Sequence, residues 1–241
     1  MNRTRNRKTN IIASFFLSFC ILNMTGCIDL SAAKYHPVKK EKPHSKVVAT
    51  ASKKKVVQAK KYRGEVHTML GGLGVFSTGM KELSSSVVDT YEIPAPSSMW
   101  YNAGDVTRKI VTYYYKQKDH RPIILVGHSL GANEQIKVAR NLNKLNIPVA
   151  LLVTVDAVSQ TIVPPNVKHA MNFYKPGYVP MFSGLKLKAV DPVKTNVENI
   201  NVGALKGVKV NHFTIDKNPV VQAMIMKEVK KVTNNANRAK A

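Results

Sequence analysis

Three side chains far apart in the chain have the types that nucleophilic catalysis uses: Ser129, Asp156 and His212. Ser129 stands at the centre of Gly127-His128-Ser129-Leu130-Gly131. An apolar run, Ile123-Ile124-Leu125-Val126, precedes this pentapeptide. Ile136, Ala139, Leu142 and Leu145 follow it at helical spacing. A Gly-x-Ser-x-Gly between a buried strand and a helix is the pattern of a nucleophile elbow. Such a turn is tight enough to force a strained serine backbone. Glycine at 127 and 131 removes the Cβ atoms that would collide where strand and helix cross. The serine is thereby expected at the carboxyl end of a sheet, beside the positive end of a helix.

The other two residues stand at comparable places. Val149-Ala150-Leu151-Leu152-Val153-Thr154-Val155 reads as a doubly buried strand that runs directly into Asp156, well placed to hold a histidine, with Asp191 as the reserve acid. His212 falls in a loop between a strand and the last helix. His36, His44, His67 and His128 fit less well, since the first two precede the folded part, the third lies in a strand and the fourth in the elbow. After the first strand, Glu65–Leu70, comes Gly71-Gly72-Leu73-Gly74-Val75-Phe76-Ser77-Thr78-Gly79. Gly74 and Gly79 have phosphate-loop spacing, but Met80 stands where that loop requires lysine, which excludes the reading. Glycines here allow a backbone N–H to approach a serine nucleophile. Gly72 and Leu130 are the candidate oxyanion donors.

The remaining elements must position these groups. The pattern predicts a helix from about Met80 to Val88, a short strand at Thr90–Pro94, and a loop at Ser97–Gly104 carrying Trp100 and Tyr101 toward a pocket, the core or the surface. A helix is expected over Ala103–Lys116 and a strand over Val167–Tyr174. Residues 178–209, with scattered Gly, Pro, Asn and Lys, give no clear element and could hold a lid or pocket loop. Asn218 and Pro219 open a final helix with a stripe of Val221, Ile225, Val229 and Val232. Apolar strands alternating with amphipathic helices predict a doubly wound α/β fold with a mainly parallel sheet, compact and with little or no cap.

With the chain order Ser129, Asp156, His212, the sequence resembles the α/β-hydrolase superfamily. More closely it resembles small exported bacterial serine hydrolases of the esterase, lipase or thioesterase kind, through Gly-Leu-Gly-Val-Phe-Ser-Thr-Gly-Met, Gly-His-Ser-Leu-Gly and a late His-Phe-Thr-Ile-Asp. The likeness spans about residues 65 to 235. Most of the superfamily places its acid one strand later than Asp156, and lipase-like branches use the earlier position. The resemblance implies acyl transfer to water from a small-molecule ester or thioester. His212 would take the Ser129 proton, Asp156 would fix the imidazole, and the N–H groups of Gly72 and Leu130 would hold the oxyanion. It requires no metal or cofactor. A non-catalytic envelope binding protein on the same fold, and an acyltransferase, are the competing readings.

Charge sets the context. Of the net charge of +23, residues 1–63 carry +13, from fifteen Lys and Arg against Asp29 and Glu41. Arg3, Arg5, Arg7 and Lys8 followed by the apolar Ile11–Leu22 read as an export signal, too short for a comfortable membrane span. Met24-Thr25-Gly26-Cys27 resembles a bacterial lipobox, with Cys27 as the lipidated residue. Ordinary cleavage nearby, after Ser31-Ala32-Ala33, is the alternative. Residues 1–27 are thus expected as a lipoprotein-type signal, 28–62 as a basic flexible tether and 63–241 as the hydrolase domain, in the periplasm or cell envelope and held at a membrane by lipid and tether. The tether lacks interleaved aromatics, so no specific nucleic acid is expected as a partner. Cys20 and Cys27 are the only cysteines, which excludes a disulfide or cysteine-based metal site in the folded part.

Overall fold

The computed structural model describes residues 64–72, 74–179 and 183–238, with side chains through Asn234. Cys27 and the signal and tether segments lie outside the described residues. Strands β1 (Glu65–Leu70), β2 (Ser97–Met99), β3 (Ile123–His128), β4 (Val149–Val155), β6 (Val167–Tyr174) and β8 (Asn196–Asn201) form one sheet in the order β2-β1-β3-β4-β6-β8. Every pairing in it is parallel. A small second sheet pairs β5 (Ile162–Val163) with β7 (Lys188–Ala189). The helices are α1 (Thr78–Tyr91), α2 (Ala103–Lys116), α3 (Leu130–Asn143) and α4 (Pro219–Arg238).

Two cores explain why Ile123–Val126 and Val149–Val153 are apolar at every position. Ile124, Val126, Leu151 and Val153 pack with Met80, Leu83 and Val87 of α1 and with Val221, Ile225 and Val229 of α4. Their neighbours Ile123, Leu125 and Leu152 face the other way, onto Val106 and Ile110 of α2 and Ile136, Ala139 and Leu142 of α3. A strand alternates its side chains between faces, so a sheet covered on both sides needs apolar residues throughout. The doubly wound, mainly parallel α/β class is therefore observed. Among the described residues no helix is long and apolar enough to cross a membrane.

Three expectations are corrected. No strand forms at Thr90–Pro94: α1 continues to Tyr91, and Glu92 ends it in a left-handed conformation with its N–H bonded to the Val88 carbonyl. The carbonyls of Pro94 and Pro96, which lack an N–H, accept from Val66 and Thr68 of β1. The chain reaches the sheet edge before the formal strand at Ser97–Met99 begins. The Ser97–Gly104 segment is accordingly strand, one 3₁₀ turn at Trp100–Asn102 and the start of α2, rather than a loop. Within 178–209, where a lid or pocket loop is expected, the chain forms β7 and β8. The strand that precedes His212 is β8.

Candidate functional site

The elbow forms where β3 hands over to α3. Ser129 has φ 58° and ψ −124°, a conformation costly for a residue with a Cβ. Its N–H donates to the Val155 carbonyl at 2.9 Å, and its own carbonyl accepts from Ala132 and Asn133. The flanking glycines are sterically required. A Cβ on Gly127 would lie 2.4 Å from the Gly131 oxygen, and one on Gly131 would lie 2.3 Å from the Met69 oxygen.

Asp156 follows β4 directly, also at positive φ (48°), and its N–H donates to the Phe173 carbonyl at 2.7 Å. Asn133 of α3 steadies the chain beyond it, since its side-chain oxygen accepts from the N–H groups of Val158, Ser159 and Gln160. His212 lies between β8 and α4 in a turn closed by Asn211, whose side-chain oxygen accepts from Phe213 N–H while its N–H donates to Thr214 Oγ1.

These turns bring the predicted residues together. His212 Nδ1 lies 2.8 Å from Asp156 Oδ2 and His212 Nε2 lies 2.9 Å from Ser129 Oγ. A carboxylate only accepts, so Nδ1 carries the proton and Nε2 presents its lone pair to the Ser129 hydroxyl. All three residues are buried, Ser129 the least so at 9% exposure. Asp191 is not brought to the histidine. Its carboxylate accepts from Val193 and Lys194 N–H groups and pairs with the Lys194 ammonium in a surface turn.

The glycine loop crosses this elbow closely. A Cβ on Gly71 would sit 2.6 Å from the His128 oxygen, 2.7 Å from Ser129 Cβ and 2.9 Å from the Leu130 nitrogen, and Gly72 is the next residue of the loop. Leu130 opens α3, and a first helical residue has an N–H without an intrahelical acceptor. The indole N–H of Trp100 donates to the Gly72 carbonyl at 2.7 Å and pins the loop from outside. The sequence leaves pocket, core and surface equally open for Trp100, and its bond to Gly72 has no trace there. Phe76 of this loop packs on Phe213 at 5.2 Å between ring centroids, and Phe213 in turn meets the His212 ring edge-on at 5.4 Å. Phe76 and Phe213 remain 51% and 40% exposed, making an apolar rim beside the histidine.

Sequence reasoning missed the buried polar layer behind the site. His128 Nδ1 lies 2.8 Å from Ser77 Oγ, and His128 Nε2 lies 2.8 Å from the His212 carbonyl oxygen. Burial pushes the His128 pKa down to about 3, reinforced by the neighbouring His212, so the ring is neutral. Asp216 Oδ2 accepts from Gly79 N–H at 2.9 Å in the first turn of α1. Burial raises the Asp216 pKa to about 6 against the pull of that N–H and of Lys217. Among the described residues no cluster of His, Cys, Asp and Glu side chains is arranged to hold a metal ion.

Neither a protein-family model nor a curated protein matches the chain. Solved structures do. A Xanthomonas campestris protein of the α/β hydrolase superfamily matches with a TM-score of 0.40 at 10% identity, over 69% of this chain and 99% of that one. The RedJ thioesterase of the prodiginine pathway in Streptomyces coelicolor matches with a TM-score of 0.43 at 10% identity, over 71% and 91%. Human thioesterase 2 matches with a TM-score of 0.42 at 10% identity, over 70% and 95%.

Proposed function

We propose that the protein is a serine hydrolase that cleaves a carboxylic ester or thioester through an acyl-enzyme on Ser129. The observation that carries this reading is the unbroken series from Ser129 Oγ to His212 Nε2 and from His212 Nδ1 to Asp156 Oδ2, at 2.9 and 2.8 Å. As Oγ bonds to the substrate carbonyl carbon, His212 Nε2 takes its proton and the carbonyl π pair moves onto oxygen. That oxyanion is held by the N–H groups of Gly72 and Leu130. Collapse returns the pair, breaks the bond to the alcohol or thiol, and His212 delivers the proton to the leaving group. Water, deprotonated by His212, then releases the acid and regenerates Ser129. Asp156 stabilises the imidazolium formed in both halves.

Export and attachment complete the proposal. Residues 1–27 act as a lipoprotein-type signal, Cys27 takes the lipid, and the basic segment 28–62 tethers the domain at the cell envelope, within reach of ester or thioester substrates at a membrane surface. The test is steady-state hydrolysis of p-nitrophenyl butyrate and of butyryl-coenzyme A by the full chain beside Ser129→Ala. Turnover of either by the wild type and its loss in the variant is expected. Equal turnover by both proteins, or turnover of neither substrate by folded wild type, contradicts the proposal.

A further inference from the structure

We infer that Ser77 and His128 are positioning residues that set the oxyanion loop and the His212 loop against each other. The inference rests on the reading of Ser129 and His212 as nucleophile and base. A carbonyl accepts and never donates, so the 2.8 Å contact between His128 Nε2 and the His212 oxygen places the His128 proton on Nε2. Nδ1 is then an acceptor and the Ser77 hydroxyl, 2.8 Å away, is its donor. The same Ser77 oxygen accepts from Gly71 N–H at 3.0 Å. One chain of bonds, all polarised in one direction, therefore runs from the glycine loop through Ser77 and the His128 ring to the backbone of His212.

The local chemistry is otherwise hard to account for. Gly-x-Ser-x-Gly needs no particular residue between its first glycine and the serine, yet an imidazole is buried there to 1% exposure. Ser77 occupies the N-cap position of α1 but makes no capping bond, although serine is among the residues best suited to one. Its hydroxyl is committed to His128 instead. The cap is supplied by Asp216, four residues after His212, through Gly79 N–H. The loop bearing His212 is thus fastened at its carbonyl by His128 and at Asp216 by α1. The loop bearing Gly71 and Gly72 is fastened by Ser77. Neither loop segment is itself strand or α-helix, so these struts act with the Trp100 bond to Gly72 in fixing their spacing.

The test uses the full chain with p-nitrophenyl butyrate, comparing Ser77→Ala, His128→Leu and His128→Gln with wild type and with Ser129→Ala. Misplacing a reacting group by about 1 Å costs on the order of 10²-fold. Ser77→Ala and His128→Leu are therefore expected to lower kcat about 10- to 100-fold with KM within about threefold. His128→Gln keeps an N–H near the Nε2 position and is expected to recover much of what His128→Leu loses. A purely structural role would lower melting temperature without this kcat-only loss or the glutamine rescue. If His128→Leu does not fold, Ser77→Ala decides. Wild-type kcat in Ser77→Ala, with Ser129→Ala inert, overturns the inference and leaves the hydrolase reading standing. Turnover by Ser129→Ala overturns both.

Discussion

Replacing Asp156 by asparagine keeps the shape of the side chain and removes its charge. Asp156 Oδ2 faces His212 Nδ1 at 2.8 Å, and its other oxygen faces the Lys175 N–H at 3.4 Å. Asparagine cannot satisfy both. With its nitrogen toward His212 it forces the imidazole proton onto Nε2, where it opposes the Ser129 hydroxyl. With its oxygen toward His212 it sets N–H against N–H at Lys175. In either orientation the charge is lost. At about 4 Å between charge centres and an effective dielectric constant of about 20, that charge stabilises the imidazolium by about 4 kcal/mol. At about 1.4 kcal/mol per factor of ten, this is about 10³-fold in rate. The wrong tautomer brings the loss toward about 10⁴-fold. Steady-state kinetics on p-nitrophenyl butyrate should show this fall in kcat with little change in KM, while Asp191→Asn stays within about twofold because its carboxylate only holds a surface turn. Asp156→Asn within tenfold of wild type, or an equal loss in Asp191→Asn, would refute the reasoning.

Other consequences concern the supports of the site. The Asp216 carboxyl keeps its proton up to about pH 6 in the folded chain, against 3.8 as its ordinary value. Its raised pKa therefore gives stability that is full below about pH 4 and is lost as pH rises through about 6. Asp216→Asn should gain on wild type by on the order of 2 kcal/mol between about pH 4 and pH 7, read by urea unfolding at each pH. A gap that does not change with pH would contradict this. His128, whose depressed pKa makes the fold lose stability as pH falls toward about 3, gives a slope of the opposite sign, so the quantity to read is the difference between the two proteins at each pH. Gly131→Ala must push a Cβ to within 2.3 Å of the Met69 oxygen and should cost at least about 2 kcal/mol, a value that chemical denaturation will report. Trp100→Phe removes the donor to the Gly72 carbonyl and should lower kcat about tenfold, with a change in stability near about 1 kcal/mol; unchanged kcat would show that the loop holds itself.

Much of this arrangement is legible in the residues, and the limits have physical causes. β1, β4, β6 and α2 occupy the predicted ranges, because strands buried on both faces and a helix with one apolar stripe leave unambiguous patterns. Ser129 and Asp156 stand where such strands end, and the tight elbow requires its glycines. β2 and β8 are edge strands. Ser97–Met99 is three residues long, and Asn-Val-Glu-Asn-Ile-Asn carries mostly polar side chains, so neither shows a buried-strand pattern. The struts behind the site were hidden for a different reason. Ser77 and His128 are 51 residues apart, and Asp216 caps a helix that begins 138 positions earlier at Thr78. Contacts of that separation exist only once the sheet has assembled. Ser77 even carries a misleading local signal, since its position suggests a cap that its hydroxyl does not make.

The central claim is that Ser129 is an activated nucleophile, and covalent labelling tests it most directly. The full chain should be treated with a fluorophosphonate and its mass and modified peptide determined, beside Ser129→Ala and His212→Ala. One adduct on Ser129 in the wild type, none in Ser129→Ala and strongly slowed labelling in His212→Ala is the predicted result. Folded wild-type protein that stays unlabelled, or an adduct on another residue, would contradict the account.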